Sequence, residues 1–311
     1  MADFTRPRIF RPPSESMSYY LPLTSGCSNN TCIFCYYYGS RLQMRDIEEV
    51  KSEIDALHLF KTQGIAVPGM DRTVYVLASQ WDGRRVFIQD GDALVYPFPK
   101  LIEILDYLNE RFPDLERIAI YATAQDILRR SVDELRQLKD RKLTILYIGL
   151  ESGDDQILKD IGKNTNAEEM VAAAQRVEEA GLTLSVMVIL GLGGVERSEE
   201  HALASADVLS RMDPEYGAAL TLTVVPGTPM HDMIERGDFH PVSPFQSLRE
   251  LRTLIEHLRV TNCFFSSMHA SNYLTIRGTL PDDRISMLAR LDQVIQKGDS
   301  RALRPEGFRG L

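Results

Sequence analysis

Little in this sequence supports secretion, a membrane span or a disulfide framework. Among 311 residues there are four cysteines and one tryptophan. Disulfide-stapled domains are short and dense in cysteine, so a chain this long with so few thiols depends on its core instead. No apolar run approaches the roughly 18 residues of a membrane helix. The most apolar stretch, Leu184 to Leu192, has the length of a buried strand. The N-terminus mixes Arg6, Arg8 and Arg11 with Asp3, Glu15 and prolines. It carries no apolar segment of the signal-peptide kind and reads as an irregular arm. Basic blocks are missing too, and a net charge of −9 argues against a long nucleic-acid footprint. Repeats and low-complexity tracts are absent. What remains is the expectation of a cytoplasmic globular protein, 44% hydrophobic and 25% charged, with a sizeable core.

Three of the four cysteines fall within nine residues, Cys27-Ser-Asn-Asn-Thr-Cys32-Ile-Phe-Cys35. An extended segment, residues 18–24, precedes them, and Tyr36-Tyr37-Tyr38-Gly39 leads on to a helical pattern. The cysteines therefore lie on a loop leaving the end of a strand, where α/β enzymes place their chemistry. Three thiolates on one short loop can converge on one metal centre. A structural zinc site takes four ligands, commonly as two pairs, and Cys263 is far along the chain with no neighbouring cysteine. A cubane iron–sulfur cluster normally takes four thiolates, so three would leave one iron open to a ligand from outside the protein. Zinc in a binding protein, or unrelated free thiols, are the other readings of the same residues.

Periodicity predicts an α/β chain. Asp46 with Glu49 resembles a capping box, and Ile47, Val50, Ile54, Leu57 and Phe60 form one apolar helix face. Residues 64–84 break this rhythm and read as an insertion, with Val74 to Ala78 as a short strand or hairpin. Five strand–helix pairs then follow, with strands at 86–89, 118–122, 143–148, 184–190 and 219–224. Their nearly continuous apolar character suits a parallel sheet covered on both faces. With Tyr19 to Thr24 as the first strand this makes six βα units, then a possible seventh strand at 263–268 and a final helix around Ile285 to Ile295. The expected fold class is a partial (β/α)6 TIM-like barrel with a C-terminal extension. Its expected divisions are an arm (1–17), a core (18–230) and a helical, substrate-capping extension (231–311).

Each strand end carries an unusual residue set. Asp90-Gly91-Asp92 follows the second strand, and Gly91 has no side chain to keep a ligand away. Gly149-Leu-Glu151-Ser152-Gly153-Asp154 follows the fourth; a Glu leaving a buried strand needs a partner, and Asp154 or Ser152 can cap the next helix. Gly191-Leu-Gly193-Gly194 follows the fifth, with Glu196 where a dinucleotide fingerprint needs glycine. Val225-Pro-Gly-Thr-Pro229 follows the sixth. Five histidines (58, 201, 231, 240 and 257) show no ligand spacing and read as structural or solvated. His269, in His-Ala-Ser-Asn-Tyr273, follows a strand.

The cysteine loop resembles that of the radical S-adenosylmethionine (SAM) superfamily, with four residues rather than the usual three between the first two cysteines. The resemblance implies a [4Fe-4S] cluster on Cys27, Cys32 and Cys35, whose fourth iron takes the amino and carboxylate groups of SAM. It implies that Asp90-Gly91-Asp92 stands for the glycine-glycine-glutamate motif, with Gly91 and Asp92 toward the SAM amino group. Glu151, then Ser152, would meet the ribose, while Ile189, Gly191, Val225 and Phe34 would cover the adenine. The activity implied is reductive cleavage of SAM to a 5′-deoxyadenosyl radical acting on a small-molecule substrate, fed by a flavodoxin- or ferredoxin-type donor. The lack of further cysteine clusters argues against auxiliary-cluster maturases and methylthiotransferases, and no cobalamin-type Asp-x-His-x-x-Gly motif occurs. The strand-end segments are closest to the branch containing the oxygen-independent coproporphyrinogen oxidases, though their Tyr-x-His-x-Pro-Phe-Cys pattern is missing. His269, Asn272, Tyr273 and Arg277 are the candidate substrate contacts. A radical methylase, an RNA-modifying enzyme and a non-catalytic iron–sulfur electron carrier are the alternatives.

Overall fold

A computed structural model of the chain describes residues 4–310; Asp3 and the first residues of the expected arm lie outside the described residues. Strands β1 (Tyr19–Pro22), β2 (Thr24–Ser25), β3 (Gln43–Met44), β4 (Arg85–Gln89), β5 (Arg117–Ala122), β6 (Leu143–Glu151), β7 (Thr183–Leu190), β8 (Tyr216–Thr221), β9 (Cys263–Ser266) and β10 (Arg277–Leu280) follow in chain order. The main sheet runs β1-β4-β5-β6-β7-β8-β9-β10, while β2 and β3 form a small antiparallel pair. The six strands expected from periodicity are β1 and β4 to β8, and the possible seventh is β9, parallel to β8. The antiparallel β10 was not foreseen. The chain divides into two units: described residues up to Asn30 with Ser40–Tyr147 and Val177–Thr183, and Thr31–Gly39 with Ile148–Arg176 and the residues from Leu184 on.

In the first unit the parallel register sets Tyr20 beside Phe87 and Val86 beside Ile118. β1 and all but the first residue of β4 are buried, as the unbroken apolar pattern requires. Phe87 meets Tyr20, Tyr121 and Tyr147 edge-on, the favoured aromatic geometry. Helix α1 (Ile47–Gln63) starts at Asp46, which accepts from the Glu48 N–H rather than completing a capping box, and stops at Gly64 with φ 72°. Its buried Val50, Ile54 and Leu57 contribute about 1.5–3 kcal/mol each. Residues 74–78, expected as strand, form helix α2 (Arg72–Gln80). Asp71 caps that helix through the Thr73 N–H, and Val74 and Ala78, four apart, share its buried face; capping and packing override the β-preference of Val-Tyr-Val. Helix α3 is Phe98–Arg111, and the one helix expected before β6 is two, α4 (Ala124–Arg129) and α5 (Val132–Asp140), because the Ser131–Glu134 capping box restarts it.

The arm is tied to this unit by two buried carboxylates. Glu53 takes Arg6 and Arg45 at 2.7 Å each and the Tyr19 hydroxyl at 2.7 Å. Glu15 takes Arg117 at 2.6 Å and the Tyr147 hydroxyl at 2.7 Å. Both carboxylates are fully buried, a placement tolerated only where such partners exist.

In the second unit, α6 (Asp155–Asp160) and α7 (Ala167–Glu179) follow β6. Asp154 caps α6 through the Gln156 and Ile157 N–H groups, the capping role expected of it. Helix α8 (Ser198–Met212) packs on α10 (Pro244–His257), which packs on α11 (Arg284–Lys297). The strand expected at 219–224 lies at 216–221, because the chain turns away at Val225-Pro226 and Thr228 then caps a short unforeseen helix, α9 (Pro229–Arg236). Ile157, Leu158, Ile161, Leu192 and Met230 form an apolar cluster at the strand ends.

Candidate active site

The cysteine loop crosses from one unit to the other after Asn30. In the first, Gly26 has φ 91°, and a Cβ there would come within 3.0 Å of the Arg41 carbonyl. Its N–H donates to Asp90 Oδ2 at 2.9 Å, and the Asp90 N–H donates to Thr24 Oγ1 at 3.1 Å. The acid after β4 thus shapes the chain just before Cys27, which is partly exposed. Gly91, partly exposed, stands between two buried acids.

Asp92 is fully buried. Its Oδ2 accepts from the Ser28 hydroxyl, while Oδ1 has no hydrogen-bond partner among the described residues. Ser28 also lies 3.5 Å from Asp126 Oδ2. Burial, then the nearby Asp126, pushes the Asp92 carboxyl well above its usual range. Asp126 is pushed up by burial too, but bonds from Asp92, the Thr123 hydroxyl and Arg129 outweigh that and hold it below the ordinary value. A buried acceptor without a donor is costly and rare. A ligand ammonium would supply the missing donor, so the site fits the amino group of SAM.

In the second unit Cys32 is buried and Cys35 partly so. The turn between them closes with Cys35 N–H on the Cys32 carbonyl at 3.0 Å. The Ile33 N–H donates to Ile161 O at 2.9 Å, its carbonyl accepts from the Met230 N–H at 3.1 Å, and the Thr31 hydroxyl donates to Gly162 O at 2.7 Å. Gly162 has φ 70°, and a Cβ would meet the Thr31 carbonyl at 2.4 Å; only glycine lets the α6–α7 turn grip the loop this closely. Burial raises the Cys35 thiol to about 11, so a metal must displace its proton. Tyr36 and Tyr38 are exposed.

Glu151 ends β6 with φ 63°, a left-handed conformation uncommon outside glycine. Its carboxylate folds back over Gly149, where any Cβ would meet Oε1 at 2.0 Å, and pairs with Lys163 at 2.8 Å. Observed strain of this kind clusters at functional sites. Ser152 is engaged within the protein: fully buried, it bonds His201 Nδ1 at 2.8 Å and accepts the Asp154 N–H at 3.0 Å. His201 Nε2 lies 3.0 Å from the Ile189 carbonyl, which can only accept. The proton is therefore on Nε2, and Nδ1 accepts from Ser152. Ile189 and Phe34 pack on the same apolar cluster, so two of the expected adenine contacts share one surface. The Gly191 N–H donates to the buried Glu250. Val225 accepts from the Thr228 hydroxyl at 2.7 Å in the next turn.

Among the substrate candidates, Asn272 is buried with Nδ2 on the Ala219 and Ser267 carbonyls and Oδ1 accepting from Thr221. Those bonds give it a structural task. His269 Nδ1 bonds Ser271, and burial lowers its pKa. Tyr273 lies under the Arg309 guanidinium at 4.1 Å from the ring centre. Arg277 is exposed. Sequence reasoning missed Asp126, Lys163 and Glu250 and counted His201 as structural or solvated. Only Asp126 had a local signal, three residues after Thr123, which follows β5 and caps α4.

The fold is of a kind that α/β enzymes use, and the cysteines of the loop are its candidate metal ligands. The model of the Radical SAM superfamily matches residues 21–206, and the chain belongs to that superfamily. Its members bind a [4Fe-4S] cluster and SAM, and so does this enzyme. It is similar to a putative methylthiotransferase of Methanocaldococcus jannaschii, 25% identical over 53% of this chain and 33% of that protein. It is also similar to the heme chaperone HemW of Bacillus subtilis, 23% identical over 67% of this chain and 52% of that one. The chain thus spans about half or less of the length of these relatives. Coproporphyrinogen III oxidase (HemN) from Escherichia coli shares the fold with a TM-score of 0.53 and 15% identity, covering 77% of this chain and 51% of that one. Methylornithine synthase does so at 0.51 and 17%, covering 78% and 63%. The chain has the superfamily's partial TIM-barrel fold.

Proposed function

We propose that this enzyme cleaves SAM reductively and directs the resulting radical at a small-molecule substrate. The observation that carries the assignment of the SAM site is Asp92, a buried acid with one oxygen lacking a donor. Cys27, Cys32 and Cys35 are the proposed cluster ligands. When bound, the reduced cluster supplies the electron that splits SAM into methionine and a 5′-deoxyadenosyl radical. The chain's own residues orient and exclude. Asp92 and Ser28 receive the ammonium, with Gly91 allowing close approach. Glu151 is proposed to accept from the ribose hydroxyls, its pair with Lys163 yielding one oxygen. Phe34, Ile189, Gly191 and Val225 form the apolar bed proposed for the adenine, which also keeps water away. Ser152 acts behind them, through His201. Residues 231–311 are proposed to supply substrate contacts, of which His269 and Tyr273 are the stronger candidates.

A radical methylase or RNA-modifying role is the second reading; the Methanocaldococcus relative is described as a putative methylthiotransferase. The net charge of −9 weighs against it. The test is anaerobic reconstitution with iron and sulfide, reduction, addition of SAM, and chromatography for 5′-deoxyadenosine. Product that is lost in Cys32→Ala supports the proposal. A cluster whose spectrum does not respond to SAM would overturn it in favour of an electron carrier.

A further inference from the structure

Where β7 ends, the chain turns at Gly191 with φ 88°, and a Cβ there would press on Val242 at 3.0 Å. The turn has a second constraint. The Gly191 N–H donates to Glu250 Oε2 at 2.6 Å, and the Ser198 hydroxyl donates to Oε1 at 2.6 Å. Glu250, on α10, is 2% exposed, and no cation lies within ion-pair distance of it among the described residues. Its two oxygens join the β7–α8 turn to the first residue of α8. His201, one turn further along α8, holds the Ile189 carbonyl. The backbone on both sides of Leu190 is therefore fixed by the buried side chains of Glu250 and His201.

A surface groove of about 520 Å³ between α8 and α10 reaches Glu250. The other charged groups that line the groove are Glu196, Glu199, Glu200 and Arg249, and Glu196 is also paired with His240 at 2.6 Å. We propose that Glu250 is a positioning residue for the adenine end of SAM: its ionised carboxylate locks the Gly191 amide and, with it, the turn that presents Ile189 and Gly191. This rests on the adenine placement proposed above. A charged acceptor holds an amide more strongly than a neutral one. A turn locked beforehand loses less freedom when ligand binds. Burial raises the Glu250 pKa to about 7, so the lock tightens above that pH and loosens below it, as one oxygen gains a proton and the other becomes a weaker, neutral acceptor.

The test measures binding of 5′-deoxyadenosine, which has adenine and ribose but neither the ammonium nor the carboxylate of SAM. Titration calorimetry on cluster-loaded protein, from about pH 6 to 8.5, would compare the wild type with Glu250→Gln. The glutamine keeps a neutral acceptor for Gly191, so folding is expected, and iron and sulfide content checks it. At pH 8 the variant should bind about tenfold more weakly, one charge-assisted bond having become neutral. At pH 6 the two should converge, because the wild-type carboxyl is then neutral as well. Equal affinities at both pH values would overturn the inference. Should the variant fail to fold, the wild-type profile decides: affinity that does not change across pH 7 overturns it too. SAM itself, titrated in parallel, separates the two readings, since a wild type that binds no SAM refutes the proposed function and not only the role of Glu250.

Discussion

The buried His201 gives the sharpest stability prediction. Its ring is fully buried, Nε2–H donates to the Ile189 carbonyl, and Nδ1 accepts from Ser152. Both bonds need the neutral imidazole, because a proton on Nδ1 would leave the Ser152 hydroxyl without an acceptor there. Burial lowers its pKa from 6.5 to about 4. The unfolded chain therefore takes up a proton below about pH 6.5 that the folded chain refuses. The stability linked to this group is fully present above pH 6.5, falls as pH drops toward 4, and changes no further below that. The difference between 6.5 and about 4 corresponds to roughly 3 kcal/mol.

The assay is urea unfolding of the cluster-free protein, followed by circular dichroism at intervals between pH 4 and 8. It compares the wild type with His201→Gln, whose amide can still donate to Ile189 but does not titrate. Other groups titrate in both proteins and cancel in the difference. The wild-type advantage at pH 7.5 should shrink by about 3 kcal/mol at pH 4. A difference that stays level across this range would refute the buried neutral histidine. A difference that shrinks only below pH 4 would place its pKa lower than argued.

Three further outcomes are expected. Asp92→Ala removes the proposed partner of the ligand ammonium and should weaken SAM binding by about 10- to 100-fold, the equivalent of one charged hydrogen bond, with iron content unchanged; unaltered affinity would sink the role given to Asp92. In Gly153→Ala the new methyl would lie 2.2 Å from the Ala204 carbonyl in α8, so helix or strand end must shift, lowering stability by about 1–3 kcal/mol in chemical denaturation. Asn272→Ala breaks three buried bonds and should cost about 3 kcal/mol while 5′-deoxyadenosine formation without substrate persists; loss of cleavage at full stability would contradict its structural role.

The sheet was legible because parallel strands bury both faces and so announce themselves as apolar runs. β4, β5, β6 and β7 lie within a residue or so of expectation at most ends, though β6 continues to Glu151. Helix α2 was misread because Val-Tyr-Val favours strand locally, whereas the Asp71 cap and the Val74–Ala78 face decide the matter only in the folded chain. β10 and α9 are short, and their signals vanish beside the longer elements around them. The strand-end acids could be found by position alone. Their partners could not: Lys163 follows Glu151 by twelve residues and Glu250 follows Gly191 by fifty-nine, distances at which no local pattern operates. Ser152 shows another limit of position, since a polar residue at a strand end is also half of a buried bond.

The same limit bears on where substrate contacts can be sought. The segment after β9 held the most candidates, yet much of it is already engaged by the chain's own C-terminal residues. Arg304 donates to the carbonyls of His269, Ala270 and Asn272. Arg309 reaches Ser271 O, the Tyr273 hydroxyl and Leu222 O, the last just beyond β8. Two guanidiniums thus consume the backbone acceptors of 269–272 and cover one face of Tyr273, which leaves side-chain edges rather than main chain to meet a substrate. His269 has its Nδ1 turned to Ser271, so Nε2 is the nitrogen still free of that bond, and the ring is held neutral by burial. A neutral donor suits a carbonyl or hydroxyl better than an anionic group, which would call for the positive charge this imidazole lacks. Arg304 adjoins it but is spent on carbonyls. We therefore extend the proposal for His269 to a polar, uncharged portion of the substrate.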